Sequence, residues 1–363
     1  MEIMQIILSI IVIFAAARVL GQVFRKIKLP ALVGEILAGM ILGPSLFGIL
    51  HADNSFHILS TVAVFFLMLV AGLEMNIKEI KKVGKSAVII SLIAFFVPFE
   101  VGSYAASLFG LTGIQSIFMG LLLSITALPV SAMVLMEFKI LKSKIGNTVI
   151  AAAAIDDIIA IVILGIVVQL SATGGSFDDS KIGESIIKVG AFIAVFFVSL
   201  IFGKKILPNK ESNRVYGIIS GATFGFFAPV FFGFIGVEFN VKSVLDSIPL
   251  FVALLAIAIT SKIGGGFIGA KISKFSNNGS LAIGNLMNGR GMMELAIAAI
   301  GFTAGILDIN LFSIAVAIGF VTTILSPLLA RSFIRKLKSN KDSEVIETPE
   351  MKDLESPPQS QTS

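Results

Sequence analysis

Apolar stretches of 18 or more residues recur along this chain from one end to the other, and that feature excludes a water-soluble fold. Each stretch is long enough to cross about 30 Å of hydrocarbon as an α-helix. Charged residues make up only 14% of the 363, against roughly 25% in soluble domains, and 56% are hydrophobic. The expected fold class is therefore an all-α polytopic membrane protein embedded in a lipid bilayer. A net charge of +5 raises nucleic acid as a partner, but the basic residues sit in short loops between apolar stretches, which is a topology signal. No nucleic-acid partner is expected. The first apolar stretch can insert by itself and lacks a small-residue cleavage site. There is no cysteine, and the two histidines, His51 and His57, share one short loop. Disulfides, thiol chemistry and a histidine-based catalytic or metal centre are not expected, nor are enzymatic activity or a resident cofactor.

Eleven spans account for the hydropathy: 3–22, 31–49, 57–74, 86–109, 114–138, 146–170, 184–206, 214–236, 247–270, 281–303 and 311–333. Loop charge tests that division. Alternate loops carry Arg25, Lys26, Lys28; Lys78, Lys81, Lys82, Lys85; Lys139, Lys142, Lys144; Lys204, Lys205, Lys210, Arg214; Lys271, Lys274; and Arg331, Arg335, Lys336, Lys338. The opposite loops hold Lys181 and Lys242 beside Asp53, Asp178, Asp179 and Asp308. The positive-inside rule then puts the N-terminus outside and the C-terminus in the cytoplasm of a cell (inner) membrane protein. After residue 333 the composition turns polar and Pro/Ser-containing, and 334–363 is expected to be a disordered cytoplasmic tail, too short for a nucleotide-binding regulatory domain.

Two segments share the pattern G-x-E-x-N-x-K: Gly72 to Lys78 closing the third span, and Gly236 to Lys242 closing the eighth. Each follows a Phe pair, Phe65–Phe66 and Phe231–Phe232. Charge alternation sets the copies in opposite orientations, the inverted-repeat plan of many secondary transporters, whose substrate sites lie at the repeat interface. Chance similarity of short membrane motifs is the competing reading. Two spans precede the first copy's span, but only 184–206 precedes the second, so two spans are absent near 207–213 if the halves were once equivalent.

A charge at the bilayer centre costs about 3 kcal/mol or more, so each one asks for a reason. In AAAAIDDIIAIVILG, Asp156 and Asp157 stand side by side in the sixth span. Neighbouring helix positions point about 100° apart, so the two can serve different partners. Two carboxylates this close in low dielectric resist ionising together. Such a site holds a proton or a small hard cation, and competition between the two is the simplest route to exchange. The plainer alternative is a structural pair neutralised by cations and hydrogen bonds. Lys262, in TSKIGGGFIGA, sits about nine residues from the end of the ninth span, roughly 13 Å by helical rise and too deep for easy snorkelling. Its ammonium needs a carboxylate, and Asp156 is the natural candidate.

In the fifth span Ser124 and Thr126 precede Pro129, which frees an upstream carbonyl; unwound backbone beside hydroxyls can coordinate a dehydrated cation, though a plain kink is the alternative. In the tenth, NGRGMMEL places glycines around Arg290, with Glu294 four residues on to pair with it. These two are expected to compensate charge, either by shaping a helix break or by handling the ion. The spans are counterparts in the repeat, and two crossed broken helices would turn their half-helix dipoles toward the aspartates. Glu35 and Glu100 are lesser cases, Glu35 reading as structural or gating.

Together PALVGEILAGMILGPSLFG, FFLMLVAGLEM, SITALPV, the aspartate pair, TSKIGGGFIGA and NGRGMMELAIAAIG, in that order over about 3–333, resemble the cation:proton antiporter-2 family of NapA-, GerN- and Kef-type exchangers. The resemblance implies exchange of a monovalent cation (Na⁺ first, Li⁺ or K⁺ as alternatives) for protons, and an inverted-repeat antiporter fold with two crossed discontinuous helices. It implies a core, about 86–170 and 247–333, moving elevator-fashion against a dimerisation scaffold, about 3–74 and 214–236, with 184–206 as linker; a homodimer follows. It further implies that Asp157 carries the ion, that Asp156 pairs with Lys262 when the site is empty, and that Thr126 lies beside it. Adjacent aspartates are similar to the electrogenic subgroup exchanging two protons per Na⁺. Family members have two further scaffold spans where this chain has none, and Kef-type ligand gating is not expected without a regulatory domain. A cation channel and a non-transporting homologue remain as alternatives.

Overall fold

A computed structural model of the chain describes residues 2–51, 54–74, 84–172, 194–196, 198–199, 201, 209–340 and 343–346. The helices are α1 (Glu2–Lys26), α2 (Ala31–Leu42), α3 (Asn54–Glu74), α4 (Lys85–Leu108), α5 (Gly113–Ser124), α6 (Leu128–Glu137) and α7 (Lys144–Ala172). There follow α8 (Asn209–Ala222), a π-helical turn (Thr223–Phe227) running into α9 (Ala228–Glu238), α10 (Val241–Asp246), α11 (Ile248–Ile272), α12 (Asn277–Met287), α13 (Met292–Thr303) and α14 (Ile309–Ser339). Among the described residues there is no strand, and seven helical stretches have the length and hydropathy to cross a bilayer by themselves. Helix lies under every expected span except 184–206, which falls largely outside the described residues, as does Met75–Lys78 of the first repeat copy.

Two groups of helices pack among themselves: α1, α2 and α9 in one, α4 to α7 with α11 to α14 in the other. In the first, α2 and α9 cross with no room for side chains, since a Cβ on Gly39 would overlap the Gly233 carbonyl and one on Gly236 the Ile36 carbonyl. Small residues at such a crossing let backbones touch, which is how helices associate where lipid offers no hydrophobic driving force. In the second group α4 packs against both α5 and α11, and α12 against α11 and α14.

Local chemistry sets the ends of the short helices. Thr112 and Gln115 form a reciprocal capping box at the start of α5, with bonds of 3.3 and 3.1 Å. The helix ends at Ser124, and Pro129, which has no N–H for the Ile125 carbonyl four residues upstream, keeps it from running through. Residues 125–127 run extended, and α6 restarts with that proline in its first turn, where a missing N–H costs nothing. The paired break lies between Met287 and Met292, where a Cβ on Gly291 would come within 2.8 Å of the Ala127 Cβ.

Of the polar tail expected over 334–363, residues 341–342 and 347–363 lie outside the described residues, and the described part is ordered. α14 continues through Ser339, and Glu344, in a 3₁₀ turn at Ser343–Val345, is 7% exposed. Its carboxylate accepts from the Ser276 N–H and hydroxyl, both at 2.8 Å, at the N-cap of α12. An anion at a helix N-terminus satisfies donors that have no partner inside the helix, and hydropathy carries no sign of so local a contact.

Candidate functional site

Asp156 lies in α7, completely buried, facing α4, the α5–α6 break and α11. One carboxylate oxygen accepts from the Ser91 hydroxyl of α4 at 2.6 Å. The other accepts from Thr126 at 2.7 Å and from the Lys262 ammonium at 3.0 Å. Both members of the ion pair have side chains at 0% exposure, and a pair so deep holds only when hydrogen bonds satisfy what the charges leave over. Lys262 donates also to the Ser124 carbonyl and has the Phe95 ring 6.0 Å from its nitrogen.

Three consecutive carbonyls at the C-terminus of α5 are thereby held by cations. Arg290 donates to Leu122 and, at 2.6 Å, to Leu123, while Lys262 takes Ser124. These carbonyls lack helical partners and form the negative end of the α5 dipole, where positive charge is favoured. Arg290 also pairs with Glu294 at 3.1 Å. The end of α12 is closed differently, by neutral hydroxyls: Ser326 on Asn285 at 2.6 Å, Ser131 on Leu286 at 2.7 Å, Thr126 on Met287 at 3.1 Å. The two breaks are tied directly where the Ala127 N–H donates to the Gly289 carbonyl at 2.7 Å. The half-helix ends are therefore chemically unlike, one cation-capped and one hydroxyl-capped.

Most of the residues singled out in the sequence meet at this crossing. Asp156, Thr126 and Lys262 touch; Arg290 and Glu294 pair and brace α5; Asp157, 6% exposed, lies next to Asp156 on α7. Ser124 takes part through its carbonyl, because its hydroxyl donates to the Gly120 carbonyl at 2.7 Å. Glu35 stands apart on α2, buried beside Gly21, and Glu100 is exposed on α4. Ser91 carries no advance signal: a serine in an apolar helix ordinarily bonds its own upstream carbonyl. The hydroxyl of Thr126 has one proton and two acceptors in range, Asp156 and Met287. It can therefore turn from the carboxylate to the carbonyl and leave its lone pairs facing Asp156.

Relatives share this architecture. The model of the transmembrane sodium/hydrogen exchanger family matches residues 9–207 and 180–331. A Na⁺/H⁺ antiporter of Enterococcus hirae is 26% identical over 384 aligned positions, covering 93% of this chain and 100% of the relative. The probable Na⁺/H⁺ antiporter GerT of Bacillus cereus is also 26% identical, over 90% of this chain and 99% of its own. The solved structure of the sodium proton antiporter MjNhaP1 from Methanocaldococcus jannaschii at pH 8 aligns with a TM-score of 0.67 over 93% of this chain and 98% of that one. At 17% identity that likeness is one of fold. With the family match extending across both broken helices and the aspartate pair between them, the chain belongs to the transmembrane sodium/hydrogen exchanger family.

Proposed function

We propose that the protein exchanges a monovalent cation, Na⁺ before Li⁺ or K⁺, for protons across the cell membrane, and that Asp157 carries whichever ion is in transit. The observation behind this reading is the unequal state of the two aspartates. Asp156 is saturated by Ser91, Thr126 and Lys262 at full burial, whereas Asp157 beside it retains 6% exposure. An acid locked in an ion pair is a poor first acceptor; its more open neighbour is the better one. When a cation arrives, Thr126 turns toward Met287, and Asp156 can leave Lys262 to share the ion. Lys262 keeps its bond to Ser124 at the negative end of α5, so its charge remains compensated in part. When protons arrive instead, the Asp156–Lys262 pair re-forms.

In this proposal α4 to α7 and α11 to α14 form the core that bears the ion, and α1, α2, α3 and α9 form the scaffold of a homodimer. The N-terminus lies outside and the C-terminus inside, as the loop charges require. Purified protein in proteoliposomes with an imposed proton gradient tests the assignment. Wild type is expected to show cation-dependent proton flux, and Asp157→Asn none. Flux retained by Asp157→Asn sinks the residue assignment, and absence of flux from wild type favours a non-transporting homologue.

A further inference from the structure

Asn288 occupies the middle of the crossing. Its neighbours are pinned to the facing segment: the Met287 carbonyl lies 3.1 Å from the Thr126 hydroxyl, and the Gly289 carbonyl accepts from the Ala127 N–H at 2.7 Å. The side chain between these anchors is 0% exposed, and neither its Oδ1 nor its Nδ2 has a hydrogen-bond partner among the described residues. The surrounding hydroxyls behave otherwise, since Thr126, Ser131, Thr323 and Ser326 each bond a carbonyl within 3.1 Å. A buried carboxamide left without partners costs about 1–3 kcal/mol, which an apolar side chain of the same size would avoid.

We propose that Asn288 is a ligand of the transported cation, its Oδ1 joining the aspartate pair around the ion; this rests on the exchange reading above. The chemistry fits both halves of a cycle. A hard cation takes neutral amide oxygens alongside carboxylates, and a neutral ligand adds coordination without making the ion too tightly held to leave. With the cation gone, the same group can present Nδ2 as a donor to a carboxylate. A proton on an aspartate needs no second ligand, so the coordinating Oδ1 of Asn288 acts first on cation affinity and choice.

Asn288→Ala and Asn288→Leu, the latter filling the space with apolar volume, test this in two assays. In proteoliposomes both variants should raise the apparent KM for Na⁺ about tenfold, keep the rate at saturating Na⁺ within about twofold, and alter the Na⁺/K⁺ preference. In detergent, Na⁺ should raise the thermal stability of wild type, with the concentration needed shifted upward about tenfold in Asn288→Leu, whose cation-free stability equals or exceeds that of wild type. The second readout needs no transport, so it separates failure of this inference from failure of the exchange reading, which Asp157→Asn and the wild-type flux decide. An unchanged KM and cation preference, or an unchanged Na⁺ concentration for stabilisation, overturns the assignment. So does a fall in rate at every cation concentration with KM fixed, because that marks a backbone-shaping role.

Discussion

Replacing Lys262 by methionine isolates the central ion pair. The side chain keeps roughly its length and loses its charge, and Asp156 is left with Ser91 at 2.6 Å and Thr126 at 2.7 Å as its bonding partners from the site. The lysine is 0% exposed, 3.0 Å from the carboxylate and bonded also to Ser124, so the variant strands both a buried carboxylate and the last carbonyl of α5. Removing one member of a buried pair costs about 3–5 kcal/mol. The two surviving hydroxyl bonds offset part of that loss, so about 3 kcal/mol is expected. Adding Asp156→Asn removes the stranded charge and preserves an acceptor for one of the hydroxyls. The double variant should therefore recover about 2 kcal/mol, the coupling a double-mutant cycle reports. With 2 tyrosines and no tryptophan the protein is poorly suited to intrinsic fluorescence, so helix loss during SDS titration is best followed by far-ultraviolet circular dichroism. A Lys262→Met protein within about 0.5 kcal/mol of wild type, or a double variant no more stable than the single, refutes the view that these groups depend on each other.

Three further outcomes follow from other parts of the molecule. If proton and cation compete for Asp157, acidifying both sides of a proteoliposome should raise the apparent KM for Na⁺ while the rate at saturating Na⁺ holds; a falling maximal rate at fixed KM argues against competition. Gly39→Val should force α2 from α9, because even its first carbon overlaps the Gly233 carbonyl, and the expected result is loss of monodisperse protein by size-exclusion chromatography. Glu344→Ala removes two 2.8 Å bonds at the head of α12 and should cost about 1 kcal/mol, seen as faster amide exchange over residues 277–280 with little change elsewhere.

Much of this site could be read in advance because charge inside an apolar helix is costly and cannot go unanswered. That reasoning leads from Asp156 to Lys262, which meet at 3.0 Å, and from Pro129 to a helix break holding Thr126, whose hydroxyl lies 2.7 Å from Asp156. It also pairs Arg290 with Glu294, since four residues bring two side chains together on one helix face. What it misses depends on the relation between segments far apart in sequence. Arg290 reaches Leu122 and Leu123 across 168 and 167 positions, which no periodicity encodes. Ser91 in its helix and Asn288 at the end of α12 look ordinary until the crossing places them, and Ser124 takes part through its carbonyl, which accepts from Lys262.

The departure of this chain from its relatives can be separated from its chemistry on the same grounds. The family model matches in two stretches, 9–207 and 180–331, and we propose that two spans are absent beside their overlap, near 207–213. The alignment to the Enterococcus hirae antiporter runs over 384 positions, more than the 363 residues of this chain, so that relative carries segments without counterpart here. Loop charges keep their alternation on both sides of the junction, which requires the loss to be an even number of spans. Among the described residues, the side chains that bond Asp156 or cap the broken helices come from α4, the α5–α6 break, α6 and the α11–α14 segment. In this proposal the loss bears on the surface beside α8 and α9, while the crossing, its aspartates and the cations that hold α5 keep their contacts. Cation binding that does not depend on assembly is what this division predicts, and Na⁺-dependent thermal stabilisation of monomeric detergent-solubilised protein is the measurement that checks it, its absence counting against the division.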